Sequence, residues 1–414
     1  MTTLQPVRGT HDLLPEDMRR HRFVSESACE IAALYGYDEI ATPIFEFSEV
    51  FKRTLGEATD IVTKEMYSFA VGEGEEITLR PENTAGVARA VISNGLTQQL
   101  PLKYFYSGPM FRHERPQKGR QRQFHQIGVE LFGVPEPEGD VEVIALGADI
   151  LERLGLLDRV RLELNTLGDP ESRKAYRDAL VAYFEEHRDA LSEDSRDRLT
   201  RNPLRILDSK DRKDQQVVAG APAFDDYLTD ASKAFFDAVK RGLERNGSAY
   251  QLKPRLVRGL DYYCHTAFEF KTDELGAQDT VLGGGRYDYL VEMMGGNPVH
   301  GVGWAAGIER LALLLSEAPS TPRPIVVVPI GEAQGEMAFA LVQRLRRAGW
   351  RAEIGFSGNV KKRMRRADRL QARAVLILGD EEAEKGGVTL RDLDSGEQDF
   401  VAEADLQARL KRFI

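Results

Sequence analysis

The chain has 414 residues, of which 42% are hydrophobic and 29% charged, and a formal net charge of -10. This composition excludes a disordered chain and fits a globular protein of two or three domains. The sequence has no apolar run of membrane-spanning length and no signal peptide, so we expect a cytoplasmic protein without membrane contact. Two cysteines and seven scattered histidines give no disulfide framework and no ligand spacing, so no metal site is predicted.

Strand-like segments dominate the first part of the chain, and most follow one another through short connections. They are ITLRP, LKYFYSGPMF, QFHQIGVELFG, HTAFEFK and TVLGGG. This order predicts an antiparallel sheet with flanking helices, that is, an α+β fold. Residues 169–245 are charged, mainly helical and without strand signals, so we expect a helical insertion there.

Three prolines, Pro319, Pro322 and Pro324, predict a boundary between a large domain, residues 1–320, and a small one, residues 324–414. In the small domain, strand and helix patterns alternate before a hairpin and a final helix. This alternation predicts an α/β unit on a mixed sheet.

The charge is uneven between these two parts. Residues 324–414 contain 16 Lys and Arg against 14 Asp and Glu, net +2, which leaves -12 on the first 323 residues. Six basic side chains lie between Lys361 and Arg369. Such a segment can meet a polyanion, although a solvated helix face gives the same pattern.

A second basic concentration lies between two predicted strands. The eleven residues from Arg112 to Arg122 carry five basic side chains and one acid. In the following strand, alternation places Gln126 and Glu130 on one face, about 13 Å apart, with Gly128 between them. We expect a basic hairpin loop for an anion and a floor over Gly128 for a small polar ligand; an ordinary exposed hairpin tip is the alternative.

Four further segments have ordinary structural explanations when each is taken alone. TLRPENTAGV opens a helix with Pro81 and Glu82, and LVRGLDYY precedes a strand. TVLGGGRYD places three glycines after a strand and a helix start at Arg286, without the spacing of a dinucleotide fold. GVGWAAGIERLALLL is a strand followed by a helix with Glu309 and Arg310 in its first turn.

Together these segments resemble the class II aminoacyl-tRNA synthetases. The strand FRHE with its basic loop resembles motif 2, GIER motif 3, and GYDEIATPIFEFSEVF motif 1. LVRGLDYY and VLGGGRYD are similar to the two signatures of the histidyl-tRNA synthetases, and the resemblance spans nearly the whole chain. It implies an antiparallel class II catalytic domain and an anticodon-binding α/β domain.

The resemblance implies an ATP-dependent ligase that attaches histidine to tRNA(His) through a histidyl-adenylate. Activation brings a carboxylate to the α-phosphorus of ATP, so it needs positive charge more than a base. By resemblance, the residues for catalysis and ATP are Arg112, Arg258 and Arg310, with Glu114 and Arg120 as further ATP contacts. Mg²⁺ is expected to arrive with the ATP phosphates rather than in a protein cage.

The resemblance also implies a histidine pocket and a contact with the acceptor end of tRNA. The histidine-binding residues are expected to be Glu82, Thr84, Gln126, Glu130, Arg258, Tyr262, Tyr263 and Tyr287. Arg115, Gln117 and Lys118 are expected to face the acceptor end of tRNA(His), and the basic helix near residues 361–369 the anticodon arm. Relatives of this class are homodimers, and we expect one here.

Two alternatives and two departures accompany this interpretation. One alternative is the non-catalytic regulatory subunit of ATP phosphoribosyltransferase, which shares the fold but typically loses the arginines and the last domain. The other is a synthetase for threonine, proline or glycine, which does not explain LVRGLDYY. The departures are Trp304, where relatives usually carry Phe, and Asn83, where a small residue is common.

Overall fold

The computed structural model describes residues 3–413 except 57, 58, 60, 73, 118, 202, 208, 210, 258, 259, 261, 277 and 278. Contacts divide the chain into two compact units, Met1–Ala318 and Pro319–Ile414. None of the described helices is both long enough and apolar enough to cross a bilayer.

The first unit combines sheets with helices. Its strands are β1 (Asp38–Glu39), β2 (Phe45–Phe47), β3 (Tyr67–Val71), β4 (Glu75–Leu79), β5 (Leu102–Phe111), β6 (Gln123–Phe132), β7 (Arg161–Thr166), β8 (Gln251–Leu252), β9 (Cys264–Lys271), β10 (Thr280–Arg286) and β11 (Gly301–Gly307). Its helices are α1 (Pro15–Leu34), α2 (Ser48–Leu55), α3 (Thr84–Ser93), α4 (Pro137–Arg153), α5 (Pro170–Glu186), α6 (Glu193–Arg201), α7 (Arg212–Val218), α8 (Asp230–Arg245), α9 (Leu290–Met293) and α10 (Ile308–Leu314).

The main sheet of the first unit is largely antiparallel. Within the described residues it has eight strands, in the order β1-β5-β6-β11-β10-β9-β7-β8. Only the pairs β1–β5 and β7–β8 at its two ends are parallel. The α+β prediction is therefore confirmed, and the long hairpin β5–β6 pairs from Leu102 with Phe132 to Phe111 with Gln123.

The two faces of this sheet have different roles because side chains alternate along each strand. Ile127, Val129 and Leu131 of β6 are buried in a hydrophobic core with side chains of α1, α4 and α10. Trp304 belongs to this core and donates its indole N–H to the carbonyl of Val143, 2.8 Å away. The opposite face carries Glu130 and, as described below, the candidate site.

Two predicted helix starts differ from the structure. Helix α3 begins at Thr84 rather than at Pro81, because the Glu82 carboxylate accepts hydrogen bonds from the first amides of the helix and remains outside it. The glycines of VLGGG lie inside β10, which continues to Arg286, and the next helix begins only at Leu290.

The stretch from residue 169 to residue 245 is helical, as predicted, and forms α5 to α8 with short 3₁₀ turns between them. Tyr176, Leu180 and Phe184 of α5 pack in a small separate apolar cluster with residues of the following turns. Val239 and Leu243 of α8 instead belong to the main core, so the last helix of the stretch packs on the sheet domain.

The second unit is a small α/β structure. Its strands are β12 (Ile325–Pro329), β13 (Ala352–Ile354), β14 (Ala374–Leu378), β15 (Gly387–Asp392) and β16 (Gln398–Ala402), and its helices α11 (Gln334–Arg347), α12 (Val360–Arg369), α13 (Asp380–Glu384) and α14 (Glu403–Leu410). Among the described residues the sheet order is β13-β12-β14-β15-β16, parallel among the first three strands and antiparallel among the rest. The predicted mixed sheet is confirmed.

Candidate active site

A buried carboxylate, Glu130 on β6, lies at the centre of the candidate site. Thr84 at the start of α3 donates its hydroxyl to Glu130 Oε1 at 2.7 Å, and the Tyr287 hydroxyl donates to Oε2. Burial raises the pKa of Glu130 to about 8, against the lowering effect of these hydrogen bonds. A carboxyl group that binds its proton this firmly can exchange it with a ligand near neutral pH.

Aromatic side chains enclose this carboxylate. Tyr262, Tyr263 and Tyr287 are buried and pack together, with ring centroids 4.6 Å apart for the first two and 6.3 Å apart for the last two. Arg173 of α5 donates to the backbone carbonyl of Tyr263 at 2.9 Å, which fixes this segment on the helical insertion. The pocket therefore combines apolar walls with a few polar atoms, as ligand sites usually do.

The floor expected over Gly128 is occupied by an aromatic ring. Tyr106 lies directly opposite Gly128 on β5, and a Cβ atom at Gly128 would overlap its ring and hydroxyl. The expectation of an open floor there is wrong, since a glycine inside a strand marks a close approach that a neighbouring strand can fill. Tyr106 is the site residue that the sequence pattern missed, because its position opposite Gly128 depends on the register of β5 and β6.

The residues before α3 form the other wall. Glu82 is fully buried and accepts from the amides of Thr84 and Ala85 at 2.7 and 3.0 Å. Burial raises its pKa above the usual range. Asn83 Oδ1 accepts from the Thr42 hydroxyl at 2.6 Å and from Arg80 at 3.2 Å. Asn83, the departure from the usual small residue, therefore stabilises the loop between β4 and α3.

Gln126 follows on β6 with its side chain half-buried. Its Oε1 atom is buried and has no hydrogen-bond partner in the described part of the chain. A buried amide oxygen without a partner is unfavourable unless a ligand or water completes it. Gln126 and Glu130 thus share one face of β6, as the alternation predicted, and Thr84 of α3 contacts Glu130 from outside the strand.

Three arginines lie around one carboxylate at the neighbouring end of this face. Glu114 is 3.7 Å from Arg112 Nη1 and 2.8 Å from Arg120 Nη1. Gly119, next to Arg120, approaches Arg310 so closely that a Cβ there would lie 3.5 Å from Arg310 Cγ. Burial and then the charge of Arg120 lower the pKa of Arg310, against the opposite effects of Asp279 and Glu114.

The arginine cluster adjoins the Glu130 pocket. Arg112 Nε donates to the carbonyl of Pro81 at 2.8 Å, directly before Glu82, and its guanidinium lies 5.3 Å from the centre of the Phe124 ring. Arg310 Nε donates to the carbonyl of Thr280 at 2.9 Å. A cationic region and a buried polar pocket therefore share one face of the sheet.

The remaining predicted residues fall in two groups. Arg115 and Gln117 are exposed on the hairpin loop, where Gln117 and Arg120 exchange backbone hydrogen bonds of 3.1 and 2.9 Å. Lys118 and Arg258 lie outside the described residues, so their predicted positions stay predictions.

Comparisons with known proteins agree with this geometry. The family model for histidyl-tRNA synthetase matches residues 9–311, and that for the anticodon binding domain matches residues 324–413. The histidine–tRNA ligase of Rhodospirillum rubrum is 58% identical over 415 residues, covering 100% of both chains.

Two solved structures are similar to this chain. The crystal structure of apo S. aureus histidyl-tRNA synthetase has a TM-score of 0.83 at 35% identity, covering 99% of this chain and 100% of that one. An ATP phosphoribosyltransferase regulatory subunit/histidyl-tRNA synthetase from Bacillus halodurans has a TM-score of 0.67 at 22% identity, covering 92% and 99%, which shows a shared fold alone. From the family-model match and the full-length identity, the chain belongs to the histidyl-tRNA synthetase family.

Proposed function

We propose that this protein attaches histidine to tRNA(His) in two ATP-dependent steps through a histidyl-adenylate. The observation that carries the proposal is the gathering of Arg112, Arg120 and Arg310 around Glu114, beside the buried pocket of Glu130. Family membership and the name of the full-length relative, histidine–tRNA ligase, point the same way.

In the first step a carboxylate oxygen of histidine attacks the α-phosphorus of ATP, and pyrophosphate leaves. Arg112 holds the α-phosphate and Arg310 the γ-phosphate, while Arg120 contacts the triphosphate and Glu114 the adenine side. Arg258 serves the α-phosphate and the substrate carboxylate. Fixed guanidinium groups stabilise the charge of the transition state without reorganisation. Mg²⁺ enters with the β- and γ-phosphates as part of the substrate.

Histidine is recognised by its two polar ring edges and its amino group. Glu130 and Tyr263 bind the two imidazole nitrogens, and Glu82, Thr84 and Gln126 bind the α-amino group. Tyr262 and Tyr287 complete the wall of this pocket, and Arg258 serves the carboxylate. An apolar amino acid would leave these buried groups unpaired, which can give discrimination of about 10⁴ without an editing domain.

In the second step the terminal ribose hydroxyl of tRNA attacks the adenylate carbonyl and AMP leaves. Exposed Arg115 and Gln117, with Lys118, meet the acceptor end, whose phosphates attract positive charge. In the second unit, α12 presents exposed Lys361, Lys362, Arg365, Arg366 and Arg369 to the anticodon arm. The side-chain oxygen of Asn359 caps this helix by accepting from the Lys362 N–H at 3.0 Å.

A homodimer is part of the proposal. Phe45 and Phe47 on β2 and Phe69 on β3 are 52%, 57% and 49% exposed, and cross-strand pairing through β4 places them on one face of a three-stranded sheet. An exposed aromatic face of this kind marks an interaction surface. Sedimentation equilibrium of Phe47→Glu should give a monomer where the parent gives a dimer.

The cytoplasm is the proposed compartment, since Cys29 and Cys264 are unpaired.

Histidine-dependent exchange of labelled pyrophosphate into ATP tests the first step. The parent protein should catalyse the exchange, and Arg112→Gln should reduce it about a hundredfold. The matched variant Arg115→Gln, in the exposed part of the same loop, should leave the exchange intact and lower tRNA charging. Absence of exchange in the parent would favour the regulatory-subunit alternative, and exchange with threonine, proline or glycine would favour the other.

A further inference from the structure

A group of potential metal ligands lies on the face of the sheet opposite Glu130. His21 on α1, His125 on β6 and Glu309 on α10 place their ligand atoms within 4.8 Å of one another. Because side chains alternate, His125 points away from Gln126 and therefore away from the candidate site. None of the roles proposed above uses these three side chains.

Glu309 and His125 are already held in place. Both carboxylate oxygens of Glu309 accept from the backbone N–H of His125 at 3.0 Å, and Oε1 lies 2.7 Å from His125 Nδ1. The Glu309 carboxylate is therefore fixed beside the His125 imidazole.

His21 is the unusual member of the group. Its side chain is only 8% exposed, and neither ring nitrogen has a hydrogen-bond partner among the described residues. Its ring meets the His125 ring edge-on, with centroids 4.5 Å apart. Two buried ring nitrogens without partners are unfavourable unless something binds them.

We infer that His21, His125 and Glu309 form a binding site for a divalent transition-metal ion, with Zn²⁺ as the best fit. Zn²⁺ takes imidazole nitrogen and carboxylate oxygen at about 2.0–2.2 Å, which places neighbouring ligand atoms roughly 3.4 Å apart in a tetrahedron. The three ligand atoms, all within 4.8 Å of one another, would have to move closer together to reach this spacing. Two nitrogen ligands disfavour Ca²⁺ and Mg²⁺, and water supplies the fourth position.

Such an ion would have a structural role. It would join α1 and α10 to β6, the strand that carries Gln126 and Glu130 on its other face. Its ligand Glu309 directly precedes Arg310. No metal-ligand spacing is visible along the chain because the three residues are separated by 104 and 184 positions. The inference is independent of the proposed reaction.

Cobalt titration of the full-length chain tests the site. The protein is treated with EDTA, exchanged into buffer without nucleotide or Mg²⁺, and titrated with Co²⁺ while visible absorption is followed. We expect one equivalent per chain to give a ligand-field band that Zn²⁺ removes. Zn²⁺ should also raise the melting temperature, because an ion that binds only the folded state stabilises it.

The decisive variant is His21→Phe, which keeps the edge-on ring contact and removes both nitrogens. It should lose the cobalt band and the zinc-dependent shift in melting temperature, whereas His187→Gln, in the helical insertion, should retain both. If His21→Phe does not fold, His125→Gln serves instead, since its amide can still face Glu309. The inference is overturned if the parent binds no Co²⁺, or if the band persists in a folded His21→Phe.

Discussion

Replacing Glu130 with Gln separates charge from shape at the centre of the pocket. The amide has nearly the volume of the carboxyl group and still faces two hydroxyls, those of Thr84 and Tyr287, which can donate or accept. The fold should therefore survive. What is lost is the ability of the carboxyl group to release its proton when histidine binds and then, as a carboxylate, to accept the proposed hydrogen bond from the imidazole.

The expected loss of affinity follows from that bond. A hydrogen bond to a charged group contributes about 1.5–3 kcal/mol. Removing the charge should thus weaken histidine binding by about 10- to 150-fold, and ATP binding should remain near the parent value because the arginine cluster is untouched. Isothermal titration with each ligand measures both constants.

The same variant should change how stability depends on pH. The pKa of Glu130 is about 8 in the folded chain and near 4.5 when the group is free. Between these values the folded chain binds a proton that the unfolded chain has released, so the free energy of unfolding falls as pH rises. The slope is at most about 1.4 kcal/mol per pH unit. Above pH 8 this contribution is fully lost, and Glu130→Gln should not show it.

Urea denaturation between pH 5 and 9 checks this second consequence. The control is Glu26→Gln on α1, whose carboxyl group is 58% exposed and should leave the slope unchanged. The reasoning about Glu130 is refuted if histidine affinity stays within twofold of the parent value and the pH curves of parent and variant run parallel.

Three further changes test the surrounding structure. Arg310→Gln should lower pyrophosphate exchange about a hundredfold and leave the histidine dissociation constant unchanged; a normal exchange rate would contradict the phosphate role. Gly303→Ala should lower the unfolding free energy by about 1–3 kcal/mol in urea, because the new methyl group would overlap the Glu130 carboxylate, and an unchanged midpoint would disprove this. Asp140→Asn should cost about 3–5 kcal/mol, since the fully buried Arg286 guanidinium would lose the carboxylate that accepts from its Nε and keep only that of Asp288; a loss below 1 kcal/mol would count against it.

Local pattern predicted much of the fold. The strand expected at residues 123–132 is β6 with the same bounds, since alternation over ten residues leaves little freedom in the choice of face. The elements after the prolines also follow the predicted order, from β12 at Ile325 to α14. In these segments the hydrophobic periodicity and the turn residues indicate the same secondary structure, and such agreement allows the elements to be predicted from sequence.

Contacts between distant segments were not predictable in the same way. The ring of Tyr106 over Gly128 depends on the register of two strands, and the meeting of His21 with Glu309 depends on how α1 and α10 pack. Neither is encoded in spacing along the chain. The role of Asn83, a departure from the usual motif, is likewise explained only by its hydrogen bonds to Thr42 and Arg80.

Glu114 gives the arginine cluster a property that three cations alone would not have. Its carboxylate lies between Arg112 and Arg120 and already neutralises part of their charge. The phosphates of a nucleotide that binds there replace the Glu114 carboxylate as the partner of these arginines, rather than binding to cations that have no partner. Some ion pairs are given up as others form, so ATP affinity should vary only shallowly with ionic strength, and small dissolved anions should compete poorly.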